Sequence, residues 1–221
     1  MCLLCLSALA WATEEGTENP SPTAQSSGAD PAHQRTFRIM LSQSEKIDRY
    51  DALILRYSQN RRLNPRLVKS VIAAESGFYK GALSPKGARG LMQILPRTAE
   101  EMGVNPEQLR DPESNLRAGT AYLSWLYRTA WKAYGLEGVS FRDGPPWAQR
   151  RVIAAYNGGP RQLYRRQWPR QTQLYVREVM LYYRSPVTTL RARRLPLAPA
   201  LPSAALTACF PEPEGPGRKV L

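Results

Sequence analysis

Histidine and cysteine are almost missing from this chain, and the few present lie outside its patterned middle. The one histidine is His33, and the three cysteines are Cys2, Cys5 and Cys209. A Ser-His-Asp or Cys-His nucleophile, or a His/Cys zinc site, therefore has nothing to be built from, and no metal is expected. Carboxylate, tyrosine, serine and amide chemistry remain. Alternating apolar and polar runs of useful length are also lacking, which excludes a sheet and leaves a mainly α fold. Acidic residues are scarce beside basic ones: 18 against 31, a formal charge of +13 and a pI near 10.0. That balance implies attraction to an anion, whether nucleic acid, an acidic membrane face or an acidic polymer such as the bacterial wall. With 221 residues and 43% hydrophobic content, the chain can bury one ordinary core, so a single domain is expected.

Both ends depart from the middle. The stretch "MCLLCLSALAWATEEG" is apolar for about a dozen residues and then polar, with small residues at Ala10 and Ala12 where a secretory peptidase can cut. Residues 1–12 read as a signal peptide, which implies a periplasmic or secreted protein. No Lys or Arg precedes the apolar run, so the true start codon stays open, and no lipobox precedes Cys5. About eleven apolar residues are too few to span a bilayer comfortably, so no transmembrane anchor is expected. Without the leader only Cys209 survives, which rules out an intramolecular disulfide. Residues 13–34, rich in Thr, Ser, Pro, Gly, Asn and Glu, read as a disordered linker, and 185–221, with recurrent prolines and "RARR" at 191–194, as a disordered basic tail. The domain is then 35–184.

Inside it the punctuation is helical. Asn64 and Pro65 read as N-cap and first-turn residues ahead of Leu67, Val68, Val71, Ile72 and Phe78. Pro96 opens a helix that Gly103 stops, Asp111 and Pro112 repeat the cap ahead of Leu116, Tyr122, Leu123 and Leu126, and "WAQRRVIAAYNGG" is a short helix ended by glycines. A last helix is expected from about Gln171 to Tyr183, with Leu174, Val176, Val179, Met180 and Tyr183 as its apolar set.

Glu75 stands out in this pattern. It follows Val71 by four residues and Ile72 by three, which puts it on their inward face. An unpaired carboxylate there resists ionisation and stays protonated near neutral pH, poised as a general acid. The competing expectation is a structural Glu that turns outward or pairs with an arginine such as Arg89. The next residues bring the turn Ser84-Pro85-Lys86-Gly87 and then Gly90-Leu91-Met92-Gln93-Ile94, where glycine permits close backbone approach and Gln93 offers both donor and acceptor. Tyr156 and Asn157 follow at a helix end.

Over about residues 45 to 184 the chain resembles the catalytic domain of the soluble-type lytic transglycosylases, lysozyme-like enzymes that cut peptidoglycan strands. The resemblance rests on "ES" at Glu75-Ser76, "GLMQI" at 90–94 and "AYNGG" at 155–159, in family order and with family-like spacing. It implies a lysozyme-like fold and Glu75 as catalytic acid and base. It also implies that Ser84, Gln93 and Thr98 line the cleft, that Tyr156 stands beside the catalytic carboxyl, and that Asn157 supports substrate or loop geometry. "QTQLYVREV" resembles the closing helix motif and places Tyr175 in the cleft; it departs at Gln171, where a glutamate is usual.

Most glycosidases need two carboxylates, yet no Asp or Glu lies between Glu75 and Glu100. Glu100 and Glu101 follow Pro96 in the first turns of a helix, where acids commonly serve the dipole. The chemistry implied by the resemblance needs only one: the muramyl C6 hydroxyl is the nucleophile and leaves a 1,6-anhydromuramic end, with no metal or organic cofactor. The partners implied are peptidoglycan glycan strands, with a secretion or conjugation apparatus compatible and nucleic acid not expected. Two other readings stay open. A goose-type lysozyme-like hydrolase would need a further carboxylate, for which Asp111 and Glu113 are candidates. A non-catalytic basic protein would bind glycan or nucleic acid, for which "RRQWPRQ" at 165–171 combines charge with an aromatic.

Overall fold

The computed structural model describes residues 31–191; the leader, most of the segment read as linker, and the tail beyond residue 191 lie outside the described residues. The described chain is mainly α, as the sequence implies. Its helices are α1 (Pro31–Ser42), α2 (Ser44–Asp48), α3 (Asp51–Asn60), α4 (Pro65–Ser76), α5 (Pro96–Glu101), α6 (Pro112–Ala133), α7 (Pro146–Gly158) and α8 (Arg170–Arg184), with one-turn 3-10 segments at Pro106–Arg110, Pro160–Leu163 and Pro186–Thr188. Between α4 and α5 the chain forms only two isolated antiparallel bridges, Leu83 with Arg89 and Arg89 with Ile94.

Helix starts follow their caps. The Asn64 side chain accepts from the Arg66 N–H at 2.9 Å, and Asp111 accepts from the Ser114 N–H at 2.8 Å, each satisfying a donor the helix leaves unpaired. The core is assembled where α4 packs against α8 and α3, and α6 against α7 and α3. Leu67, Val68, Val71 and Ile72 of α4 are fully buried, as are Leu116, Leu123 and Leu126 of α6, Val152 and Ile153 of α7, and Val179 of α8. Tyr127, Trp131 and Phe141 close one end, with ring centroids 4.9 to 5.5 Å apart.

Four expectations are corrected. Phe78 is buried but follows α4, in a turn with φ +66°, so it is not part of the helical stripe. Leu174 is 54% exposed and lies off the buried face of α8. Helical structure begins at Pro31, inside the segment read as linker, and Ser185, Val187 and Thr188, read as the start of the tail, are buried against the domain.

This last segment is held by a buried charge. Lys69 of α4 is completely buried, with Nζ 2.6 Å from Asp51 Oδ1 and 3.0 Å from Asp48 Oδ1, and it donates to the Thr189 carbonyl at 2.9 Å. The Arg191 N–H donates to Asp51 Oδ2 at 2.7 Å. Removing Lys69 leaves the buried Asp51 carboxylate without its cation and without solvent. Lys69→Met should therefore lower the unfolding free energy by about 3 to 5 kcal/mol, measurable by denaturant titration; a loss under about 1 kcal/mol would show that the cluster does not hold the domain together.

Candidate active site

Glu75 lies in the last turn of α4, two residues before Gly77, the left-handed cap at φ +52°. Its carboxyl faces α8, where the Tyr175 hydroxyl donates to Oε1 at 2.6 Å. Loss of solvent is the main force on this half-buried group and pushes its pKa from 4.5 up to about 7; the Glu178 charge pushes the same way, while the Tyr175 hydrogen bond opposes. The carboxyl is thus inward and raised, as its helical position implies, but partnered rather than unpaired. Arg89 does not engage it: its guanidinium lies 3.4 Å from Glu107 Oε1.

The loop facing Glu75 is fixed through its own backbone. The Ser84 hydroxyl accepts from the Ala88 N–H at 3.0 Å, pinning the Ser-Pro-Lys-Gly turn. Gln93, at φ +47°, sends its amide nitrogen to the Ala82 carbonyl at 3.1 Å and the Gly90 carbonyl at 2.9 Å. Below them is Asn115, fully buried on α6. It accepts from the Met92 N–H at 2.8 Å and donates to the Arg89 and Leu109 carbonyls, each at 2.8 Å. Gly90, at φ +78°, passes so close to Asn115 and the Leu109 carbonyl that a Cβ would overlap both. Gly119 of α6 is likewise filled by the Met92 side chain.

Neighbouring helices then attach to the carbonyls of this loop. The Ser76 hydroxyl donates to the Leu91 carbonyl at 2.8 Å, and the buried Tyr156 hydroxyl of α7 donates to the Met92 carbonyl at 2.9 Å. Burial and then the Glu75 charge raise the pKa of both Tyr156 and Tyr175 well above 10.0, so both stay protonated donors. The Tyr122 ring leans on Tyr156 at 5.5 Å.

Of the site residues expected from the sequence, Glu75 and Tyr175 are in direct contact, and Tyr156 is coupled to them electrostatically while its hydroxyl is bound to the loop at the Met92 carbonyl. Ser84 and Gln93 act on the loop itself. Thr98, half-buried on α5, and Asn157, exposed at the end of α7, make no recorded contact with Glu75. Sequence reasoning missed Asn115, the role of the Ser76 hydroxyl, Tyr122 and Glu178. Glu178 follows Tyr175 by three residues, a spacing that puts both on one side of α8 and could have been read. No group of three or more His, Cys, Asp or Glu side chains arranged to hold a metal occurs among the described residues.

Residues 52–175 match the family described as the Transglycosylase SLT domain. The soluble lytic murein transglycosylase of Escherichia coli strain K12 is 31% identical over 104 residues, covering 43% of this chain and 16% of that protein. The membrane-bound lytic murein transglycosylase C of Edwardsiella ictaluri is 30% identical over 145 residues, covering 61% of this chain and 38% of that one. The chain therefore spans well under half the length of these relatives. The solved lytic transglycosylase Slt of Pseudomonas aeruginosa aligns with a TM-score of 0.48 at 28% identity, over 60% of this chain and 23% of that one.

The electrostatics of Glu75 predict two opposite shifts. A group that must be protonated loses activity as pH rises through its pKa, here about 7. Tyr175→Phe removes the contact that lowers this pKa and should move the descending limb of the pH profile to higher pH. Glu178→Gln removes a repelling charge and should move it to lower pH. Limbs that stay in place in both variants would separate the profile from Glu75.

Proposed function

Because the chain belongs to the Transglycosylase SLT domain family, we propose that it is a peptidoglycan lytic transglycosylase that cleaves the β-1,4 bond between N-acetylmuramic acid and N-acetylglucosamine. The observation that carries this reading is a single carboxyl, Glu75, whose pKa burial raises to about 7, so that a substantial protonated fraction persists near neutral pH, and which the Tyr175 hydroxyl orients. Glu75 gives its proton to the glycosidic oxygen as the bond to C1 breaks. The muramyl C6 hydroxyl attacks C1, and the Glu75 carboxylate takes that hydroxyl's proton. The 1,6-anhydro ring closes, Glu75 is again protonated, and no water enters. Tyr175 holds the carboxyl in both states, donating to an oxygen that is a carbonyl before transfer and part of an anion after it.

Both carboxylates considered for a hydrolytic mechanism are occupied elsewhere, which supports this reading over the hydrolase. Asp111 caps α6, and Glu113 is bound by Arg56 at 2.8 Å and by the Tyr57 hydroxyl at 2.9 Å. The loop polar groups Ser84 and Gln93, with Thr98 and Asn157 at the flanks, form the substrate-binding set in this proposal. A periplasmic location follows from the substrate. No helix among the described residues is long and apolar enough to cross a membrane.

Two measurements test the proposal together. Digests of purified peptidoglycan should contain products ending in 1,6-anhydromuramic acid, one water lighter than hydrolytic products by mass spectrometry; reducing muramic acid as the sole end would sink the transglycosylase reading. Glu75→Gln should abolish cleavage yet unfold at higher temperature than the parent at about pH 8. The sign follows from the raised pKa: the Glu75 contribution to stability is complete below 4.5 and is lost as pH rises through about 7, up to about 3 kcal/mol. At about pH 4 the two proteins should melt alike.

A further inference from the structure

The sequence element "RRQWPRQ" plays no part in the site around Glu75, and the structure places it on the other side of α8. Tyr175 points to Glu75, whereas residues 173, 177, 180 and 184 recur at helical spacing on a face roughly opposite. That face forms one wall of a groove of about 700 Å³, closed by the first turns of α7 and the loop carrying Trp168. Its volume suits a short ligand segment rather than a long track.

The charge on this groove is of one sign. Arg150, Arg166, Arg177 and Arg184 line it, with no Asp or Glu among its lining residues. None of these four makes a salt bridge among the described residues, and all are exposed. The floor is apolar, with Val176 buried and Met180 half-buried, and Trp147 stands at the rim, 47% exposed. The walls are braced from behind. The Trp168 indole donates to the Gln162 carbonyl at 3.0 Å, Gln173 donates to the Trp168 carbonyl at 2.7 Å, and Arg151 holds the Leu163 and Arg165 carbonyls at 2.7 and 2.9 Å. The groove is therefore set before any ligand arrives, which lowers the ordering cost of binding.

We propose that this groove is a second wall-binding site that takes the carboxylate-bearing peptide stems of peptidoglycan, separate from the glycan cleft at Glu75. The inference rests on the peptidoglycan reading above. Guanidinium forks match carboxylates two bonds at a time, and the apolar floor accepts the small alkyl side chains of a short peptide. A polynucleotide would need a continuous basic track with successive open stacking faces, whereas Trp168 is half-buried and its N–H is turned inward to Gln162. The site would hold an enzyme with no other wall-binding module among its described residues against its insoluble substrate.

The test uses the full chain carrying Glu75→Gln, so that the wall is not consumed, in co-sedimentation with purified sacculi and with sacculi stripped of stems by an amidase. Adding Arg150→Glu and Arg177→Glu should weaken binding to intact sacculi at least ten-fold and leave binding to stripped glycan within two-fold. Stripping alone should weaken the parent to about the level of the reversed variant. Melting within a few degrees of the parent verifies the fold; if the double reversal melts early, Arg150→Gln and Arg177→Gln singly should show the same order in smaller steps. Unchanged binding to intact sacculi, equal losses on stripped glycan, or tighter charge-dependent capture of phosphatidylglycerol vesicles or an oligonucleotide would each overturn the proposal. Hydrolytic ends in the product spectrum would sink the reaction proposed above and leave this binding result standing.

Discussion

Everything at the candidate site depends on one short run of backbone, residues 89–93, and on the buried amide of Asn115 that holds it. A loop has no ladder to satisfy its polar groups, so each must find a partner by itself or pay the cost of burial. Here Asn115 takes one N–H and one carbonyl from this run and a second carbonyl from Leu109. Two of the remaining carbonyls become attachment points: Leu91 for Ser76, next to Glu75, and Met92 for Tyr156. The loop thus joins α4, α6 and α7 through its own peptide groups. The glycine at 90 follows from the same constraint, because Asn115 can reach the Leu109 carbonyl only where no Cβ stands in its way.

The ionisation of the Glu75 carboxyl is set by α8. A glutamate at the end of a helix would ordinarily turn to water; here α8 covers it and supplies a hydroxyl as its partner. Burial and the like charge of Glu178 raise its pKa, and the tyrosine limits the rise. The balance places the pKa near neutrality, where a group can both give and recover a proton. Tyr156 and Tyr175, themselves pushed well above 10.0, cannot compete for the role of proton carrier and serve as fixed donors.

Local chemistry explains which parts of this were readable from the amino acids. Asn64-Pro65 and Asp111-Pro112 encode helix starts within four residues, and both helices begin there. The inward position of Glu75 follows from helical period alone. Its partner does not, because Tyr175 is 100 residues away and only the antiparallel packing of α4 and α8 brings it near. Asn115 was invisible for the same reason: in sequence it is a polar residue at a helix start, and its three acceptors and donors come from segments 6 to 26 residues away. Leu174 misled because apolar character was taken as burial, while the bulk of α8 on that side meets solvent. Helices α2 and α3 carry no side-chain caps: neither Gln43 nor Tyr50 makes a capping bond, so no local cap announced them.

The contact between Glu75 and Tyr175 is short, and its precision has to come from elsewhere, since two helices joined at one point can slide and rotate. At the other end of the pair, Asn64 donates to the Tyr183 hydroxyl at 2.9 Å, and Arg66 reaches Thr188 Oγ1 at 3.1 Å and the Ser185 carbonyl at 3.0 Å. One turn further, Lys69 binds the Thr189 carbonyl while holding Asp48 and Asp51. The start of α4 is thus fastened to the end of α8 by several directional bonds, and the end of α4 to the start of α8 by a single one. Fixed at the far end, the antiparallel pair can vary at the near end only by bending. The buried residues Val71, Ile72 and Val179 between the two ends resist that. The residues just beyond α8 therefore bear on the Glu75–Tyr175 contact although none of them touches it: without Ser185, Thr188 and Thr189 in place, Arg66 and Lys69 would lose the partners through which α8 is held in register with Glu75.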